Sequence, residues 1–213
     1  MKKILSIALA ASMMLVGASA FAQVSVGAGY LNSSAKTTFG STTSSVPSNG
    51  FYAGLGYDLD EGTGFGLSVG AYYSYITSTT AASTSLFGVS LGASSKVEEM
   101  YVDLPVNFKF SAELGAKAKG FIYAGPTFSL GVSSTTDSNA SIAGITIGGN
   151  GKYDNYSSDD YSRFDILVGG GVGIDYGSLR FTVGYNIGML NRVPSDSYKQ
   201  TRNVLHAGIA FLF

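Results

Sequence analysis

Bulky apolar side chains alternate with small or polar ones along most of this chain, in segments of about ten residues set between clusters of Gly, Ser, Asn and Asp. The clearest segment is Leu179–Met189, where odd positions are large and apolar and even positions are polar or glycine. The segment before it has the opposite parity: Phe164, Ile166, Val168, Val172 and Ile174 on one face, Asp165, Gly169, Gly171, Gly173 and Asp175 on the other. Gly177-Ser178 between them suits a two-residue hairpin turn with Gly first. That turn pairs Tyr176 with Leu179, Asp175 with Arg180 and Gly169 with Asn186, and each pair then shares a face.

The same period recurs at Val24–Tyr30, Phe51–Asp58, Phe65–Tyr75 and Tyr101–Phe110, and a last strand covers Arg202–Phe213. Along Phe121–Val132 the parity is contested, because Phe121 and Tyr123 compete with Ile122, Phe128 and Leu130. The pattern predicts eight strands. Short turns fall near Asp60–Gly62, Ala112–Lys119 and Gly177-Ser178; long Ser/Thr/Asn/Gly-rich loops fall at residues 32–48, 78–95, 134–161 and 191–201. Ser85–Ala93 is more apolar than a plain loop and reads as a hairpin continuing above the membrane. The final strand ends on the aromatic Phe213, an edge that closure into a barrel would remove.

Which side the apolar face turns to follows from composition. Charged residues make up 13% of the chain, about half the usual share, whereas Gly (29), Tyr (14) and Phe (13) are abundant. The Gly/Ser/Thr/Asn face cannot cover a water-exposed barrel, but it fits the narrow interior of about eight strands. The apolar face is therefore expected to meet lipid, with Tyr30, Tyr57, Tyr73, Tyr75, Tyr176 and Phe213 in interfacial girdles. Beyond the first 22 residues no apolar run reaches the length of a membrane helix. A net charge of −1 argues against a nucleic-acid partner.

The N-terminus reads as an export signal: Lys2 and Lys3, an apolar stretch from Ile4 to Gly17, and small-x-small sites ending at Ala20 and Ala22. Cleavage after Ala22 leaves a barrel domain over residues 23–213. The absence of cysteine excludes a disulfide-stapled fold and a lipid anchor through Cys. The expected fold is thus an all-β, eight-stranded antiparallel transmembrane β-barrel of the outer-membrane type, preceded by a cleaved signal peptide.

Met100–Phe110 (Met-Tyr-Val-Asp-Leu-Pro-Val-Asn-Phe-Lys-Phe) resembles the strand of PorT-like outer-membrane barrels in which a proline follows an aliphatic residue and the strand closes on a lysine and aromatics. Tyr123-Ala124-Gly125-Pro126 is similar to that family's next strand, and Gly169–Gly173, Gly184–Asn191 and Arg202–Phe213 to its last three. The resemblance implies a barrel of OmpX-like size without shared catalytic residues; a place beside secretion machinery applies to some members only.

Candidate chemistry is sparse. His206, the one histidine, has interior parity and would have to carry any Ser–His or metal–His scheme; a hydrogen-bonded interior side chain accounts for it as well. Asp103, Lys109, Asp165, Asp175 and Arg180 share the interior parity and are read as an ion-paired plug, with Asp175 and Arg180 neutralising each other across their turn. Gly115 and Gly120 have phosphate-loop spacing, but Phe121-Ile122 stand where Lys and Ser/Thr are needed. Gly169–Gly173 lacks the later glycine and helix of a dinucleotide site. Asp137, Asp154, Asp159 and Asp160 with Asn139, Asn150 and Asn155 offer oxygen ligands without EF-hand spacing and are read as solvated loop residues. No catalytic, cofactor-binding or metal residue is assigned, and no enzyme activity or cofactor is expected. Three functions remain: a structural or interaction barrel presenting its four long loops at the cell surface to envelope or extracellular partners; a small pore or accessory of transport or secretion; and a lipid-modifying barrel enzyme, which would need His206. The first is adopted.

Overall fold

The computed structural model describes residues 22–60, 64–87, 89–143, 145–157, 161–193 and 197–213; the expected signal segment falls outside them. Nine strands are present among these residues: β1 (Ala22–Phe39), β2 (Thr42–Asp60), β3 (Phe65–Leu86), β4 (Val89–Glu113), β5 (Ala118–Ile142), β6 (Ile145–Asp154), β7 (Phe164–Tyr176), β8 (Leu179–Gly188) and β9 (Lys199–Leu212). Eight of them close an antiparallel ring, with β4 pairing β5 and β1 pairing β9, while β6 pairs β5 alone. The expected strand number holds for the ring.

The orientation of the faces follows the pattern. Val24, Leu55, Phe108, Ile122, Val183 and Ile209 point outward and are exposed, whereas Ser25, Asp58, Ser74, Lys109, Ser129 and Asp175 are buried inside. Phe108 is 74% exposed and Ser129 0%, an inversion of a soluble core that only an apolar solvent outside makes favourable. Aromatic residues border the apolar band at both ends. Tyr30 stands opposite Phe51, and Phe51 opposite Tyr75 with ring centroids 5.5 Å apart. At the short-turn end Phe65 meets Phe110 at 4.7 Å, and Tyr176 pairs with Leu179.

The Gly177-Ser178 turn has the expected register: Tyr176 opposite Leu179, Asp175 opposite Arg180, Gly169 opposite Asn186. Gly177 has φ +58°, the left-handed value that the first position of such a turn requires.

The sequence leaves one parity open, and one of its expectations needs correction. The contested segment of β5 turns Phe121 and Tyr123 inward and Ile122, Phe128 and Leu130 outward. Higher up, the step from Tyr101↔Gly131 to Met100↔Ser133 leaves Val132 as an extra residue, a β-bulge that flips the parity and buries Ser134. The correction concerns three of the long loops, apart from the hairpin expected at Ser85–Ala93, which is present. Residues 32–48, 78–95 and 134–161 are mostly paired strand: β1 and β2 stay in register to Phe39↔Thr42, β3 and β4 to Leu86↔Val89, and β5 continues into the β6 hairpin. Thr and Ser read as loop by polarity, but Thr suits a pleated surface and cross-strand hydroxyl pairs hold it there. Residues 189–193 and 197–198 are not strand, so the expected loop 191–201 holds up to β9.

Candidate functional site: the barrel interior and its long hairpins

Every inward position of a small barrel faces other inward positions, so charges placed there must neutralise one another. Near the short-turn end they do. The Lys109 ammonium donates to Asp58 Oδ2 at 2.6 Å. The Arg180 guanidinium reaches the same oxygen at 2.6 Å and donates to both Asp175 oxygens at 2.7 and 2.8 Å. Both cations also lie over the Phe121 ring, 5.1 and 4.8 Å from its centroid. Two carboxylates and two cations thus form a neutral layer drawn from β2, β4, β7 and β8.

A second layer lies toward the other end. Asp103 accepts hydrogen bonds from Ser74 (2.6 Å) and Ser129 (2.5 Å) and lies 3.4 Å from Arg202 Nη2, which donates to Ser129 Oγ at 2.7 Å. The Arg202 guanidinium stacks on Tyr101 at 3.8 Å. Arg192, outside the strands, reaches in to Glu99 Oε1 at 2.8 Å and to the Tyr101 hydroxyl, and lies over the Tyr161 ring. Asp165 is 2% exposed beside these groups and makes no ion pair among the described residues.

Between the layers is a ring cluster. The Tyr123 hydroxyl and His206 Nε2 are 2.9 Å apart, and Tyr52 meets both Tyr72 and His206 edge-on. Neighbouring strands make room with glycine: a Cβ on Gly184 would strike Tyr123 Oη and His206 Nε2, and one on Gly208 would strike Tyr52 Oη. A cavity of about 150 Å³ remains here, bordered by Tyr52, Tyr72, Tyr123, Asn107, Asn186 and His206.

The expected interior residues Asp103, Lys109, Asp165, Asp175, Arg180 and His206 are all inside, and the Asp175–Arg180 pair is formed. The plug is larger than the sequence indicated, since Asp58, Glu99, Arg192 and Arg202 join it; Asp58 and Arg202 could have been found by carrying strand parity through to their charges. His206 is bonded to a tyrosine, and no serine–histidine–carboxylate array comes together around it among the described residues. Gly115 lies in the β4–β5 turn, Gly120 in β5 and Gly169–Gly173 in β7, with no helix following. Of the acidic set, Asp137 faces Lys152 across the β5–β6 ladder and Asp154 caps a turn by accepting the Tyr156 N–H at 2.9 Å. Asp159 and Asp160 lie outside the described residues.

Outside the barrel, above Tyr75, Glu98 ties β6 to β4. Its carboxylate accepts hydrogen bonds from Lys152 and Lys96, each at 2.9 Å, and from Tyr75 at 2.8 Å. These three donors, Lys152 first, hold its pKa down to about 2.

A closed eight-stranded ring with an apolar, aromatic-bordered exterior and an ion-paired interior defines a transmembrane β-barrel of the outer membrane. The family model for the outer membrane protein beta-barrel domain matches residues 17–193, and the chain belongs to that family. Among solved structures it is similar to Neisserial surface protein A, with 14% identity over 90% of this chain and 97% of that one and a TM-score of 0.40. It is also similar to Ail, the attachment invasion locus protein of Yersinia pestis, with 13% identity, coverage of 90% and 98%, and a TM-score of 0.39. The outer membrane enzyme PagL shows 15% identity, coverage of 85% and 98%, and a TM-score of 0.39. A search of curated proteins finds no match.

Proposed function

We propose that this protein is an interaction barrel, which uses the membrane-embedded ring as a rigid base and offers its extracellular hairpins to partners. The observation that carries this reading is the contrast between the two parts. Inside, two layers of ion-paired and hydrogen-bonded side chains cross the lumen and leave little room for flow. Outside, β1 to β5 run well past the aromatic row at Tyr30, Phe51 and Tyr75, and β6 adds a further strand there. Such long paired hairpins cost chain and ordering entropy, and they contribute nothing to spanning the bilayer.

Residues 32–48, 78–95, 134–161 and 191–201 are the proposed contact segments, and an envelope or extracellular protein is the proposed kind of partner. The resemblance of Met100–Phe110 to PorT-like barrels admits an accessory role in secretion, which would use the same segments. Replacing residues 80–93 and 138–148 by short turns tests the reading. The shortened protein should fold with unchanged heat-modifiable mobility and lose adhesion of the cells that carry it; adhesion retained in full would refute the proposal.

A further inference from the structure

The pairing of β2 with β3 stops at Asn49↔Thr77, although both strands continue upward. Pro47 stands two residues above that last rung and has no N–H to offer a partner strand there. β2 stays with β1, β3 stays with β4, and the two hairpins part. The edge of β3 from Ser78 to Leu86 is thereby left without a partner strand among the described residues, and residues 79–85 are exposed.

Exposed strand edges ordinarily carry devices that prevent pairing: a lysine, a proline, a bulge or short length. This one has none of them. No charged residue occurs from Gly62 to Ser95, no proline from Ser78 to Ser95, and the register with β4 is unbroken from Tyr72 to Leu86. The edge is about 30 Å long at the usual rise of a strand.

Its sequence also matches itself when reversed. About Ala82 as centre, antiparallel self-pairing sets Ala82 against Ala82, Ala81 against Ser83, Thr80 against Thr84, and Thr79 against Ser85. Small faces small and hydroxyl faces hydroxyl, the cross-strand pairs that stabilise a sheet, with no charge to repel the copy.

We propose that this edge joins two copies of the protein by antiparallel β3–β3 pairing, and that the copies sit in opposed membranes. The geometry sets the second half of the statement. Strands of a barrel tilt about 35–45° from its axis, so a two-fold axis along the membrane normal cannot make two β3 edges antiparallel. A two-fold axis in the membrane plane does, and it places the second barrel in a facing bilayer. The inference rests on the interaction reading above and gives it an occupant, a second copy of this chain.

Because the chain has no cysteine, a single one reports contact cleanly. Protein carrying Ala82→Cys is reconstituted into two vesicle populations, distinguished by differently sized tags on the protein, which are mixed and oxidised with copper–phenanthroline. The expected product is a covalent dimer bearing both tags, because directly opposed residues lie within disulfide range. Ser44→Cys, on the other hairpin, should give none. Thr80→Lys with Thr84→Lys should abolish vesicle clustering while leaving heat-modifiable mobility unchanged. A dimer confined to one population, equal crosslinking from Ser44→Cys, or clustering that survives the lysines would overturn the inference. Loss of cell adhesion on shortening the hairpins, without any mixed-tag dimer, would sink this inference and leave the broader reading standing.

Discussion

Arg180 and Asp175 meet in a two-bonded pair, Nε to Oδ1 at 2.7 Å and Nη2 to Oδ2 at 2.8 Å, directly across the hairpin that Gly177 turns. The pair is buried, and the third face of the guanidinium is taken by Asp58. Removing one member leaves an uncompensated charge in the lumen. Asp175→Ala should therefore lower unfolding stability in lipid vesicles by about 3–5 kcal/mol, read from urea titration of tyrosine fluorescence. A change within error would mean that water reaches this layer freely.

The lipid-facing surface should resist charge in proportion to depth. Val183 is half exposed on the outer face of β8 and lies within the apolar band. Val183→Arg should cost about 2–4 kcal/mol if near the midplane. Lys substituted for Thr38, far above the aromatic row on the same outward parity as Tyr30, should be close to neutral in the same titration.

Interior tyrosines and wall glycines should behave as matched pairs. Gly208→Ala places a methyl group against the Tyr52 hydroxyl and the Ala28 carbonyl, an overpacking expected to cost about 1–3 kcal/mol. Tyr52→Phe in the same chain should recover part of that loss, because it removes the atom that clashes. Additive losses in the double mutant would contradict the pairing.

Glu98 supplies a pH-dependent tether for β6. Its folded pKa of about 2 lies below its ordinary value of 4.5, so the contribution is full above the ordinary glutamate range and is lost as pH falls toward about 2. Amide exchange at β6 should stay slow from neutral pH through mild acid, relative to a Glu98→Gln variant, and the two should converge near the lower limit. A variant that exchanges like the parent at pH 7 would show that the ladder to β5 suffices.

Ion flow separates the interaction barrel from a pore. Planar bilayers holding the parent protein should show little conductance, and Arg180→Gly with Lys109→Gly should raise it by emptying the neutral layer. Large, stable conductance of the parent would restore the pore reading.

Much of this was legible in the sequence wherever one local rule decided the matter. Gly177 selects the turn, the turn fixes the register, and Asp175 and Arg180 then have to meet. Parity also places His206, Asp103 and Lys109 inside. It failed where two choices were equally apolar: Phe121 and Tyr123 are as bulky as Ile122 and Phe128, and only the cations and glycines on other strands decide that the rings turn inward. It failed again at Val132, since one extra residue leaves no trace in composition. Arg192 could not be placed at all, because its partner Glu99 is distant in the chain and its own segment has no period. The hairpin of residues 32–48 and the lower part of 78–95 look like loops, since hydroxyl-rich strands resemble solvated turns in composition; only the apolar stretch Ser85–Ala93 marks its hairpin in the sequence.

The central claim is the orientation of the two faces, and lipid contact measures it directly. Single cysteines at positions 182 and 183 of the refolded barrel, each carrying a fluorophore, can be compared in vesicles of brominated phospholipid. The label at Val183 should be strongly quenched and the label at Thr182 spared, as outward and inward neighbours on β8 require. Equal quenching at both sites, or stronger quenching at residue 182, would contradict the account.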